Sequence, residues 1–359
     1  MLPTTSQVVP TPLLLLSTFQ YLIMDLRRQA AAFCVNHVRA NDYEGFLTVL
    51  ALPARHRASA FAVRALNARL VDAVDRAHDG GDAGAARLRL AWWREAMARI
   101  YDGRTPDDPV CRAISVALAA AGGNGIEHMS ALVETRERDV EQVTASPLVP
   151  PASVQALVDY ADGTHGMLMR ATAELTSGTA VSGEANRAIT QAGIGAGIAT
   201  VLRGTARHLG QGLLYVPSDV LQQAGMEARD AKRLLGLGPG AVGARSDEPK
   251  DKLDEQRRHL IATAVRPLAE QAKNSLRLAD ARLAALPRTT IGKEALSPDA
   301  AARAACLPRV SAGIYLRKLE ACGYDPVHPN LLDPKRGVGV PRLELQMRLA
   351  YRHLVDGVR

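Results

Sequence analysis

The chain has 359 residues, of which 47% are hydrophobic and 23% are charged, and its formal net charge is +7. A chain this long and this apolar can bury a sizeable core, which excludes disorder throughout. Only 4% of the residues are aromatic, so the apolar content is mostly aliphatic; this favours helices over strands and argues against stacking platforms for single-stranded nucleic acid.

Residues 1–41 are expected to form an N-terminal extension and are a candidate targeting segment. Residues 1–24 contain no charged side chain, and the apolar stretch from Leu13 to Met24 is interrupted by polar residues. That stretch is too short for a good membrane span, which needs about 20 apolar residues. The segment from Met24 to Arg39 is richer in arginine and amphipathic, as mitochondrial presequences are. The sequence alone leaves the targeting question undecided.

Apolar residues recur at helical spacing along almost the whole chain, and this pattern predicts an all-α protein. Proline, aspartate and glycine mark several of the expected helix ends. We expect one domain over residues 42–356, with a flexible Gly/Pro-rich loop at 236–250. The predicted helices span residues 25–40, 56–77, 83–101, 107–121, 125–142, 151–178, 183–208, 226–235, 250–286, 297–321 and 340–356.

Two carboxylates on one predicted helix are the first candidates for chemistry. Asp72 and Asp75 are three residues apart and therefore share a helix face. Paired carboxylates can hold Mg²⁺ ions that bridge to a diphosphate. The alternative is that they form surface ion pairs with Arg69 and Arg76, each worth less than about 1 kcal/mol. Two aspartates on a helix, taken alone, favour the ion pairs.

Two further features have structural interpretations. The glycines of Gly193–Gly197 resemble a dinucleotide-binding loop only superficially, because no strand precedes them; close helix packing is the better interpretation. The four cysteines have no metal-ligand spacing, which indicates buried free thiols in a reducing compartment. These cysteines are Cys34, Cys111, Cys306 and Cys322.

Several segments, in the same order along the chain, resemble signatures of the squalene/phytoene synthase family. They are Asp42-Tyr43, Leu52 to Asp75, Leu90 to Arg94, Tyr101 to Gly103, Pro109-Val110, Ala196 to Arg203, and Gly212 to Pro217. The resemblance covers roughly residues 42–356 and implies a single-domain, all-α bundle of the isoprenoid synthase type. Members of this family condense two prenyl diphosphates head to head, with two Asp-rich helical motifs that bind Mg²⁺.

Both Asp-rich motifs are incomplete when they are matched to this chain. In the first motif, Val71 stands at the leading Asp position, and Asp72 and Asp75 remain. In the second, Gly204 and His208 stand at the two Asp positions that follow Arg203. With three of the five expected carboxylates replaced, the resemblance predicts a non-enzyme without catalytic residues, cofactor or metal site, in which these six positions are remnants.

The chain resembles one non-catalytic branch of this family more specifically. Members of that branch serve the assembly of mitochondrial complex I (NADH:ubiquinone oxidoreductase). The segments that carry it are Asp42 to Phe46, Phe61 to Asn67, Glu134 to Glu137, Tyr315 to Glu320, and Tyr324 to Pro329. This resemblance implies a protein that binds complex I subunits or other assembly factors, and no nucleic acid. It would act in the mitochondrion on the matrix side of the inner membrane, with peripheral contact to that membrane. Two alternatives stay open: an active head-to-head prenyl transferase, and an isoprenoid or lipid carrier.

Overall fold

The computed structural model describes residues 12–78, 82–145, 150–211, 213–228, 250–287, 295–332 and 339–355. The prediction of an all-α fold is confirmed, because these residues form helices joined by turns and contain no strand. The helices are α1 (Pro12–Asn41), α2 (Tyr43–Leu50), α3 (Ala54–His78), α4 (Ala83–Tyr101), α5 (Pro109–Ala120), α6 (Ile126–Ala145), α7 (Val154–Ala161), α8 (Met167–Ser177), α9 (Gly183–Arg203), α10 (Thr205–Gly210), α11 (Ser218–Gln223), α12 (Lys250–Ala285), α13 (Pro298–Ala305), α14 (Arg309–Ala321), α15 (Pro329–Leu332) and α16 (Arg342–Val355).

Helix α9 runs through the middle of the aliphatic core and is buried along most of its length. Its three glycines allow this. A Cβ atom at Gly193 would lie 2.5 Å from the Cα atom of Gly166, and one at Gly195 would lie 2.5 Å from the Leu276 side chain. These contacts confirm the packing interpretation of the glycines, which bring α9 close to the α7–α8 segment on one side and to α12 on the other.

The prediction of one continuous α-helix over residues 151–178 is wrong in one important detail. It contains a π-helical turn, Asp162–Gly166, which separates α7 from α8. Such turns widen a helix by one residue and often occur at functional sites. The helix predicted over 183–208 is also interrupted, at Gly204, which lies between α9 and α10, so that the second Asp-type motif is divided between two helices.

Other boundaries differ for local reasons. The sequence pattern missed α2, a short helix whose N-cap residue Asp42 accepts a hydrogen bond from the Gly45 amide at 2.8 Å. The helix predicted over 297–321 is broken after Ala305, where the turn that contains Pro308 comes before α14. The flexible loop predicted at 236–250 lies outside the described residues, apart from Lys250, which begins α12.

The cysteine and tryptophan side chains differ in how deeply they are buried. Three of the cysteines are buried and the fourth, Cys322, is half-buried; all four are free thiols, as predicted. Trp93 is buried against the core and its neighbour Trp92 is exposed. Among the described residues, no helix is both long enough and apolar enough to cross a membrane.

Candidate functional site

A cavity of about 530 Å³ lies between α2, α3, α9, α14 and the π-helical turn. A second cavity of about 350 Å³ adjoins it and reaches toward α10. The two share part of their lining, and the shared residues are Val71, Asp75, Arg136, His165, Thr200, Arg203 and Arg207. They therefore form one continuous space with two lobes.

The structure brings all six predicted motif positions to this space. Val71, Asp72 and Asp75 on α3 line the larger lobe, together with Arg203 at the end of α9. Gly204 and His208 line the smaller lobe. The motif segments of α3 and of α9–α10 thus form two walls of one cavity.

Every carboxylate that lines the larger lobe is ion-paired with an arginine. The pairs are Asp42–Arg64 at 2.8 Å, Glu44–Arg203 at 2.6 Å, Asp72–Arg76 at 2.9 Å and Asp75–Arg207 at 2.7 Å. The predicted pairing of Asp72 with Arg76 is confirmed. Asp75, in contrast, pairs with Arg207 from α10, across the two walls, while Arg69 packs its guanidinium 5.3 Å from the Phe33 ring centre.

Sequence reasoning missed three of these partners, although they stand inside segments that it singled out. Asp42 caps α2 and at the same time receives Arg64. Glu44 follows in the first turn of α2 and fixes Arg203, which is separated from it by more than 150 residues. The pairing depends on α2 meeting α3 and α9, and a linear pattern does not show that meeting.

His165 lies on the π-helical turn and faces both lobes. Its Nε2 atom is 3.2 Å from the Thr200 hydroxyl, and its Nδ1 atom is 3.3 Å from the Thr164 hydroxyl. Burial is the main cause that lowers the pKa of His165 from 6.5 to about 3, and the charges of Arg136 and Arg64 contribute to this shift. The imidazole is therefore neutral at physiological pH and adds no charge to the cavity.

A buried polar cluster closes the side of the smaller lobe. The Arg136 guanidinium donates to the Asp139 carboxylate at 3.0 Å and to the Tyr160 hydroxyl at 2.8 Å, and this hydroxyl donates to Asp139 at 3.1 Å. Burial raises the pKa of the Tyr160 phenol, which therefore stays protonated. The charge of Arg136 is thus compensated within the wall.

The wall formed by α10 has little room for a carboxylate at position 204. A Cβ atom there would lie 2.4 Å from Cε1 of the His208 ring. That ring packs against Tyr215, with 4.8 Å between ring centres. His208 is therefore half-buried against its neighbours rather than a surface residue, and an aspartate at position 204 would require it to move.

The donor set does not fit a cluster of Mg²⁺ ions. Magnesium requires oxygen ligands in near-octahedral geometry, whereas a guanidinium already engages each carboxylate of the larger lobe. Among the described residues, no group of three or more His, Cys, Asp or Glu side chains is arranged to hold a metal ion. In this arrangement, arginines of the same chain neutralise the carboxylates that line the larger lobe.

Comparison with known proteins places this geometry in context. The bovine (Bos taurus) protein named NADH dehydrogenase (ubiquinone) complex I, assembly factor 6 is 28% identical over 202 residues, which are 56% of this chain and 57% of that protein. The mouse (Mus musculus) protein of the same name is 26% identical over 300 residues, which are 83% of this chain and 76% of that protein. The chain thus spans a little over half the length of the bovine relative.

Solved structures share the fold. A dehydrosqualene synthase crystal structure superposes with a TM-score of 0.62 at 16% identity, covering 92% of this chain and 98% of that one. The squalene synthase from Alicyclobacillus acidocaldarius gives a TM-score of 0.61 at 19% identity, covering 84% and 96%. These likenesses confirm the predicted isoprenoid synthase type of bundle. The sequence profile described as squalene/phytoene synthase matches residues 38–344, and the chain therefore belongs to the squalene/phytoene synthase family.

Proposed function

We propose that this protein takes part in the assembly of complex I by binding, and that it does not catalyse prenyl transfer. The names of its bovine and mouse relatives support the assembly role. The observation that carries the proposal is the one-to-one pairing of the four cavity carboxylates with four arginines. In such a cavity, the acidic side chains are neutralised by the chain itself.

The physical argument concerns the charge that a prenyl transferase must stabilise. Departure of a diphosphate requires its developing negative charge to be neutralised, and metal ions supply much of that stabilisation. Here the α10 wall presents Arg207 and His208 toward α3, and these groups do not bind Mg²⁺ as carboxylates do. Val71, Asp72, Asp75, Arg203, Gly204 and His208 are on this proposal remnants of two motifs.

The proposal also covers place and partners. The protein acts in the mitochondrion, on the matrix side of the inner membrane, and binds complex I subunits or other assembly factors. Residues 42–356 supply the binding domain, against which the buried side of α1 packs through Cys34 and Val38. Within the N-terminal extension 1–41, the part that precedes these buried residues directs the chain to its compartment. The names of the relatives and the net charge of +7 support this placement, since anionic membrane surfaces attract basic proteins weakly.

A carrier of free isoprenoids is the weaker alternative. The larger lobe is lined by five arginines and four carboxylates, and an apolar chain would leave many of these groups without water. The test is lipid extraction from the purified protein, followed by mass spectrometry. One equivalent of a co-purified isoprenoid would favour the carrier.

Catalysis is tested with the purified protein, farnesyl diphosphate and Mg²⁺, by measuring released diphosphate. We expect no release above a control without protein. The matched comparison is the triple variant Val71→Asp, Gly204→Asp and His208→Asp, which restores the three carboxylates and removes the ring that obstructs position 204. Turnover by the natural chain would overturn the binding mechanism.

The assembly role is tested separately, by deleting the gene and quantifying complex I on native gels. We expect the level of assembled complex I to fall. A normal level would contradict the assembly role, whatever the diphosphate assay shows.

A further inference from the structure

A second concave surface lies on the other side of α14, away from the motif positions. It is a groove of about 450 Å³ between α12, α14 and α16. Val310 contributes a half-buried apolar side chain to its lining, and Leu276 and Leu316 are buried beneath it. Helices α12 and α16 form its two walls and α14 forms its floor, so that an amphipathic helix can lie in it.

The groove is basic. Six basic and three acidic side chains line it: Lys273, Arg277, Arg309, Arg317, Arg348 and Arg352, with Glu270, Asp280 and Glu320. Asp280 is shared by Arg309 at 2.9 Å and Arg352 at 3.3 Å. Glu344, beside the groove, engages Arg317 at 3.4 Å and Arg348 at 2.9 Å. Six basic side chains thus face four carboxylates, and the remaining excess of positive charge attracts an acidic ligand.

A glycine in the groove has no packing role within the chain. Gly313 stands in the middle of α14, where a glycine costs about 1 kcal/mol relative to alanine. A Cβ atom at this position would meet only the Arg317 guanidinium, at 3.8 Å. This differs from Gly193 and Gly195 of α9, whose missing side chains the core requires. The space above Gly313 permits the close approach of another backbone.

One edge of the groove is an exposed apolar face of α16, which we call the crest. Leu343, Met347 and Tyr351 recur every four residues on α16 and keep 68%, 59% and 64% of their surface accessible. Residues at this spacing share a helix face, while Leu345 and Leu349 of the same helix are buried. Tyr351 also lines the groove, so that the crest and the groove form one continuous surface.

We propose that this surface docks an acidic amphipathic helix of a partner protein. The apolar face of that helix would lie on half-buried Val310 and on the exposed side chains of the crest. Its backbone would come closest at Gly313, and its carboxylates would meet the arginines of the walls. A planar lipid surface would touch the exposed crest but would not reach the floor. This inference rests on the proposed function, in which the protein works by binding.

The test uses the full chain with the photoreactive residue p-benzoylphenylalanine in place of Tyr351, expressed in the organism that encodes it. Irradiation is followed by mass spectrometry of the adduct. We expect an adduct with a protein segment that is acidic and forms an amphipathic helix.

The variant Gly313→Leu fills the groove. We expect it to lower the adduct yield about tenfold, a change that corresponds to about 1.4 kcal/mol of affinity. The matched control, Ala98→Leu on the exposed face of α4, should leave the yield unchanged.

The possible results distinguish a failure of the groove inference from a failure of the assembly role. An adduct with phospholipid, with a second copy of the chain or with no molecule contradicts the inference, as does an undiminished adduct in Gly313→Leu. Retained thermal stability of this variant, which we expect because the added side chain meets open space, excludes misfolding as the cause of a loss. If gene deletion lowers complex I while Gly313→Leu restores it fully, the groove inference fails and the assembly role stands. If deletion leaves complex I normal and the acidic helix still crosslinks, the assembly role fails and the groove inference stands.

Discussion

Protonation of His165 should make the fold strongly sensitive to acid. Burial, Arg136 and Arg64 lower the pKa of this imidazole from 6.5 to about 3. Below pH 6.5 the unfolded chain binds a proton at this residue, whereas the folded chain does not until about pH 3. Protonation therefore favours the unfolded state, and the free energy of unfolding falls by about 1.4 kcal/mol for each pH unit in this window.

The magnitude can be tested with one substitution. Between pH 7.5 and 4.5, a shift from 6.5 to 3 corresponds to nearly 3 kcal/mol. Because the ring faces the cavity and keeps contact with solvent, we expect about 2 kcal/mol of this to be realised. His165→Asn removes the titrating group, so the natural chain should lose about 2 kcal/mol more stability than the variant over this range. Urea denaturation at both pH values measures this difference, and parallel losses in the two proteins would refute the reasoning.

Three other predictions concern packing, buried charge and thiols. Gly193→Ala should destabilise the fold by about 1–3 kcal/mol, because its Cβ atom would overlap the α7–α8 segment, while Gly313→Ala should be neutral or stabilising; thermal denaturation compares the two helical glycines. Asp139→Ala should cost about 3–5 kcal/mol, because it leaves Arg136 buried without its partner, and the double variant with Arg136→Met should recover part of that loss in the same assay. Native-state labelling with iodoacetamide should modify Cys322 first, because the other cysteines are buried; equal labelling of all four thiols in the folded protein would contradict this.

Helical periodicity predicted the all-α fold, and the order of the motifs predicted its family type. Asp72 and Asp75 share a face because of a spacing that is visible in the sequence, whereas the cavity that they line together with Arg203 is a finding of the structure. The π-helical turn at Asp162–Gly166 was not predictable in this way. It adds one residue to a helical turn, and a pattern with a period of 3.6 residues shows no sign of it.

The ion pairs of the cavity were harder to predict than its walls. An i,i+4 pair such as Asp72–Arg76 is encoded locally. Glu44–Arg203 and Asp75–Arg207, in contrast, join residues that are far apart in the chain, and their pairing depends on how α2, α3 and α10 meet. The interruption at Gly204 was not predicted either, because the apolar helical spacing of residues 183–208 continues through it.

The most direct test of binding without catalysis is complementation with a double variant, Asp72→Asn and Asp75→Asn. Two ion pairs are lost. The side-chain accessibilities are 60% and 46% for Arg76 and Asp72, and 59% and 24% for Arg207 and Asp75, so each pair should contribute about 1 kcal/mol or less. The fold should therefore persist, whereas any metal-dependent chemistry at α3 would end. The measurement is the level of assembled complex I in the deletion strain. Binding without catalysis predicts the level that the natural chain restores, and a fall to the level of the deletion strain would contradict it.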